Sequence, residues 1–224
     1  MAVEATKEMA FHCFDALEVY LTSGEHLAAP DSVPTTRCCI FVSWHRNGRL
    51  AGCKGTTSAP RPLNELLGYF AIDRYVGRCV AFNLRICWCA HGISFWSPRS
   101  ATNDSRFNPL KAKDIPLLDC SVSILHSFDR ADSVYDWTVG THGITIRFKA
   151  NGRRYSAVYL PYVASEQGWT REETIESLVR KAGYRGKVDE DLLASIEVER
   201  HQASKIECTY HEWRTSKQPD TRAE

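Results

Sequence analysis

No apolar run in this 224-residue chain approaches the roughly 20 residues that a membrane-spanning helix needs. Charge of one sign is also missing: 28 Lys and Arg stand against 27 Asp and Glu, a net charge of +1. A domain built mainly to grip a phosphate backbone normally carries a basic excess, so nucleic acid is not the expected partner. The chain opens Met1-Ala2-Val3-Glu4, with acidic residues early, which does not read as a secretory signal. A cysteine framework is absent too. The nine cysteines are odd in number and irregularly spaced, the pattern of reduced thiols in an intracellular protein, cytoplasmic or nuclear. There is no internal repeat.

What is present is an ordinary globular mixture, 43% hydrophobic and 25% charged, long enough for one buried core or two small lobes. Ala10, Phe14, Leu17 and Leu21 recur at helical spacing and predict an amphipathic helix over residues 4–21. Arg37 to Trp44 reads as a buried strand. Asn47-Gly48 then turns the chain into a second strand holding Leu50-Ala51-Gly52-Cys53-Lys54-Gly55-Thr56. Pro62 suits the first turn of a helix carrying Leu63, Leu66, Leu67 and Phe70. Further on, Cys120 to Leu125 reads as a strand. Gly143 to Phe148 and Arg154 to Leu160 form a hairpin through Asn151-Gly152, and Pro161 to Gln167 a short helix. Thr170-Arg171-Glu172-Glu173 is a capping box before a helix that Gly183 ends. Ser195 to Glu199 and Ile206 to Tyr210 suggest a last strand pair, and the polar tail from Ser216 a disordered end.

Leu50 to Thr56, Asp104-Ser105-Arg106-Phe107, Ser121 to Leu125, Asp136 to Ile144, Tyr159-Leu160-Pro161, Glu166 to Trp169 and Lys181 to Tyr184 follow one another in an order that resembles the AMMECR domain family. The resemblance covers roughly residues 8–213. It implies an α+β fold of two lobes, each with a small antiparallel sheet and helices, and a cleft between them. It also implies a single domain over residues 1–215 and a basic cellular role with no firmly assigned reaction. Some microbial relatives are fused to Memo-like domains, which suggests a functional link to such proteins. Residues 73–100, with three cysteines, Trp88 and Trp96 and no clear periodicity, stand apart as an insertion or a translated intron.

The family hexapeptide, Leu-Arg-Gly-Cys-Ile-Gly, faces the implied cleft. Here Ala51 replaces its arginine and Lys54 its isoleucine. Strand alternation puts Ala51 and Cys53 on one face and Lys54 on the other, so the thiol loses a cation that would lower its pKa. Two functional classes stay open. One is a binding module for a protein or peptide ligand, with Gly52, Gly55, Asp104, Arg106 and Gln167 as binding residues. The other is an enzyme acting on a peptide or modified macromolecule, with Cys53 as nucleophile and His142 as base. Against these stand plainer roles: a packed thiol, a loop-bound histidine, an Asp104 salt bridge, a helix cap at Gln167. Cys87-Trp88-Cys89-Ala90-His91 has the wrong spacing for zinc, so no metal site is expected, and the cofactor is left open.

Overall fold

The computed structural model describes residues 2–72 and 110–218. The insertion at 73–100, the Asp104-Ser105-Arg106-Phe107 segment and the end of the tail, 219–224, lie outside the described residues. In chain order the elements are α1 (Lys7–Ser23), β1 (Cys39–Arg46), β2 (Arg49–Thr56), α2 (Leu63–Ile72) and a 3₁₀ turn (Ala112–Leu117). Then come β3 (Leu118–Arg130), β4 (Gly143–Ala150), β5 (Arg153–Tyr159), α3 (Pro161–Gln167), α4 (Arg171–Lys181), α5 (Glu190–Ser195), β6 (Glu197–Thr209) and α6 (Tyr210–Ser216).

The fold is mixed α and β. Its strands hydrogen-bond in the order β2-β1-β3-β6-β4-β5, one six-stranded sheet in place of the two small sheets expected. The reason is the length of β3 and β6. Each runs 13 residues and contributes to both of the compact units into which the chain divides. The final strand pair is likewise one continuous strand, β6. Its middle is polar, with Glu199 and Arg200 engaged in ion pairs, and this hid the continuity. The 3₁₀ turn, α5 and α6 carry too little periodic pattern to be foreseen.

One unit comprises Met1–Ile124 and Lys205–Glu224. Its core joins Phe14 and Leu17 of α1, Ile40, Val42 and Trp44 of β1, Leu63 and Leu67 of α2, and Trp213 of α6. Phe14 is the hub: its ring meets Trp44 edge-on at 4.9 Å and stacks on Trp213 at 5.1 Å. Both indoles find acceptors, Trp44 Nε1 donating to the Ala71 carbonyl (3.1 Å) and Trp213 Nε1 to Asp15 Oδ1 (2.8 Å). Buried indole N–H groups need such partners.

The other unit is the continuous run Leu125–Ser204. Ile144, Ile146 and Phe148 of β4 pack with Ile175, Leu178 and Val179 of α4 and Val198 of β6. Strand β4 pairs antiparallel with β5 on one side and β6 on the other. Both hairpin turns, at Asn47-Gly48 and Asn151-Gly152, place two successive residues at positive φ, as tight turns of this chemistry require. The capping box forms as expected: Thr170 Oγ1 accepts from Glu173 N (3.2 Å), and Glu173 Oε2 accepts from Thr170 N (2.8 Å). Thr170→Ala is expected to lower unfolding stability by about 1 kcal/mol, read from urea denaturation at constant slope.

Candidate functional site

Strand β2 carries the Cys53 segment. Cys53 pairs with Ser43, Lys54 with Val42 and Gly52 with Trp44, so Cys53 and Lys54 stand on opposite faces. Lys54 therefore shares the face of Val42 and Trp44. Cys53 is half-buried and Gly52 is buried. At Gly55 the space opened by the missing side chain is filled from within the sheet. A Cβ there would run into the Ile40 carbonyl oxygen and lie 2.6 Å from Phe41 Cα. The glycine is needed for close approach of β1 to β2.

In the order of the sheet, β2 is an end strand with β1 as its one neighbour among the described residues. The charge of this region is one-sided. From Ser32 to Asn64 there are Arg37, Arg46, Arg49, Lys54 and Arg61 and no acid. Arg46 reaches Asp114 Oδ1 at 3.4 Å, and Arg61 reaches Glu65 at 3.4 Å, just past this stretch. The other cysteines of this unit include a buried set, Cys13, Cys120 and Cys208, from α1, β3 and β6. Burial, with Cys13 and Cys208 beside it, pushes the Cys120 thiol well up, away from nucleophilic use.

His142 belongs to the other unit. The loop before β4 holds it by two hydrogen bonds to one residue. His142 N donates to the Thr138 carbonyl (2.9 Å), and Thr138 N donates to His142 Nδ1 (3.0 Å). A ring nitrogen that accepts a backbone N–H carries no proton, so the neutral imidazole holds its proton on Nε2. Arg200 braces the same loop: its guanidinium pairs with Asp129 Oδ2 (2.7 Å) and Asp136 Oδ2 (2.9 Å) and donates to the Asp136 carbonyl (3.0 Å). The Arg200 hydrogen bond holds the Asp129 carboxyl below the usual range.

Two histidines escaped the sequence reading. His201, on β6, is 0% exposed, and neither ring nitrogen has a hydrogen-bond partner. It lies directly across from Gly143 of β4. Its imidazole occupies the place of the missing Gly143 side chain, with Phe128 at 5.4 Å between ring centroids. Burial, and secondly the nearby His142 and His126, push the His201 pKa down to about 4. His126, on β3, bonds through Nδ1 to the Ser127 hydroxyl at 2.9 Å, where Ser127 adopts φ +53°, an uncommon left-handed conformation for a strand residue. Nothing in the local pattern announces the His201–Gly143 pairing, which depends on strand register.

Gln167 ends α3 and is exposed, beside Gly168, whose N–H closes the helix on the Ser165 carbonyl. A shallow depression of about 370 Å³ lies nearby in sequence, lined by Trp137, Thr138, Val139, Thr170, Arg171 and Glu172. Asp104 and Arg106 lie outside the described residues, as does the Cys87–His91 cluster. Among the described residues no group of three or more His, Cys, Asp or Glu side chains could hold a metal ion, and no helix is long and apolar enough to cross a membrane.

An uncharacterised protein of Arabidopsis thaliana is 35% identical over 219 residues, covering 94% of this chain and 88% of its own. One of Schizosaccharomyces pombe is 35% identical over 215 residues, covering 92% and 94%. The crystal structure of an uncharacterized protein from Pyrococcus horikoshii shares the fold, with a TM-score of 0.67 at 23% identity over 89% of each chain. The AMMECR1 family model matches residues 10–74 and 89–206. The chain belongs to the AMMECR1 family, whose biochemical activity is not established.

Proposed function

We propose that this chain is a binding module that takes an extended, acid-bearing segment of a protein partner along β2, and that it is not a cysteine enzyme. The observation carrying the ligand reading is the end position of β2 in the sheet order among the described residues, and the observation against catalysis is the Thr138 N–H donated to His142 Nδ1. A general base must offer a lone pair to the proton it takes. With Nδ1 engaged by the loop, the remaining nitrogen of the neutral ring bears a proton. His142 is then suited to donate a hydrogen bond to a ligand, not to deprotonate a thiol. Loss of the family arginine at Ala51 points the same way.

The edge position of β2 supports a strand-adding ligand, because an end strand presents backbone groups to an incoming chain. Arg37 and Arg49, exposed and without an ion pair among the described residues, favour an acidic sequence. Gly52 and Gly55, on β2, are the binding residues of this proposal; Gln167, Asp104 and Arg106 stay binding candidates outside it. The localisation that fits is intracellular.

A peptide array of extended sequences tests the reading. Acidic peptides should bind, should slow hydrogen exchange of β2 amides, and should bind Arg49→Glu protein at least tenfold more weakly. Failure of acidic peptides to outcompete neutral ones would discard the assigned ligand. The enzyme alternative has its own readout in the pH dependence of Cys53 alkylation. A midpoint well below the ordinary thiol value of about 8.5 would favour catalysis and overturn the module.

A further inference from the structure

The far end of the β4–β5 hairpin gathers positive charge that the balanced composition conceals. Residues 147–154 hold Arg147, Lys149, Arg153 and Arg154 and no acid, and residues 180–187 hold Arg180, Lys181, Arg185 and Lys187 and no acid. Three of these eight are engaged. Arg147 pairs with Glu199, Arg180 donates to the Gly186 carbonyl, and Lys181 Nζ donates to the Val158 carbonyl and lies over the Tyr159 ring. Lys149, Arg153, Arg154, Arg185 and Lys187 are exposed and form no ion pair among the described residues.

The fold brings the two segments together. Phe148 and Tyr155 are cross-strand partners and stack at 5.1 Å. Tyr184 meets both edge-on, at 5.8 and 5.5 Å, which fixes the loop holding Arg185 and Lys187 against the hairpin. Lys149 stands directly opposite Arg154. Like charges in facing positions destabilise a strand pair. The arrangement therefore costs the fold something and makes sense where an anion bridges the two cations.

We propose that this hairpin tip binds the phosphodiester backbone of a nucleic acid. Two features select that partner among anionic macromolecules. First, among the described residues the large exposed apolar side chains, Leu27, Leu50, Tyr69, Leu117 and Phe128, all lie outside both basic segments. Protein interfaces are built around aromatic and apolar anchors, and membrane surfaces take apolar side chains into the headgroup boundary; neither is offered here. Second, a two-stranded ribbon with a tight turn has the width to enter a duplex groove, with guanidinium groups on its flanks for phosphate oxygens. Both segments belong to the unit that does not contain β2, and the proposal stands independently of the peptide reading.

Fluorescence anisotropy with labelled duplex DNA, duplex RNA and single-stranded oligonucleotides tests it, with salt varied from about 50 to 200 mM. Sequence-independent binding in the range of about 10⁻⁴–10⁻⁶ M is expected near physiological salt. With four or five phosphates neutralised, the log–log salt slope on duplex DNA should be roughly −3.6 to −4.5. The Lys149→Ala/Arg154→Ala protein should lose about 2 from that slope and bind more weakly. Its melting temperature should not fall, because a repulsive pair has been removed, which separates lost binding from lost fold. Comparison of the three oligonucleotide arms identifies the strand form. No binding, an unchanged slope in the double variant, or equal binding of poly-glutamate or anionic vesicles with the same variant sensitivity would each overturn the proposal.

Discussion

Replacing His201 with methionine is expected to flatten the acid limb of the stability profile. In the native protein the ring is fully buried without hydrogen-bond partners, and its pKa is pushed down to about 4. Unfolded, a histidine titrates near 6.5. Between these values the unfolded chain binds the proton and the folded chain does not, so stability rises with pH across the interval. The contribution is fully present above about 6.5, declines as pH falls, and is gone once pH passes below about 4. A separation of about 2.5 units corresponds to about 3 kcal/mol at 1.36 kcal/mol per unit. Urea unfolding of wild type and His201→Met at pH 7.5, 6, 5 and 4 measures it as a difference, in which the other titrating groups cancel. Methionine is of similar volume and adapts to irregular space. Parallel profiles for the two proteins would show that His201 does not titrate with this shift.

Adding one methyl group at Gly55 is expected to cost about 3 kcal/mol or more, the upper end of overpacking effects. The atoms it meets, the Ile40 carbonyl oxygen and Phe41 Cα, are backbone of β1 and cannot rotate away. Relief requires β1 and β2 to separate, so Gly55→Ala should also expose Phe41 and speed exchange of the hairpin amides. Alanine at Gly48 should not reproduce this packing clash: it has no neighbour within 4 Å, although its positive φ of 72° carries a separate backbone strain. If Gly55→Ala protein is as stable as wild type yet loses peptide binding, the glycine serves the ligand and not the sheet.

Much of the fold was legible because it rests on local signals. Asn47-Gly48 and Asn151-Gly152 announced their hairpins, Thr170 and Glu173 their cap, and Pro161 to Gln167 is a helix over those same residues. Ala10, Phe14 and Leu17 are buried as their spacing implied. What was not legible depends on partners distant in sequence. Strand β6 read as two pieces because Arg200 to Lys205 between them carries no alternating apolar pattern, and His201 gained meaning only when register set it over Gly143. Of the candidate site, the opposition of Cys53 and Lys54 followed from alternation, and register upholds it. The proton on His142 Nε2 could not be foreseen, because it depends on where one backbone N–H of Thr138 points. Net charge carries less information than its distribution. A net of +1 averages over segments that hold four cations and no acid, and only the fold shows which of those cations are already paired.

The two units also differ in how the chain builds them. Leu125–Ser204 is one uninterrupted stretch, whereas the other unit needs Lys205 onward to finish its core, with Trp213 closing on Phe14 and Asp15. During ribosomal synthesis, which adds roughly 5–20 residues per second, the continuous stretch is complete before the helix bearing Trp213 has left the exit tunnel. Phe14 and Trp44 must therefore wait uncovered until Trp213 arrives. Nascent chains arrested before Trp213 should be the ones that chaperones hold.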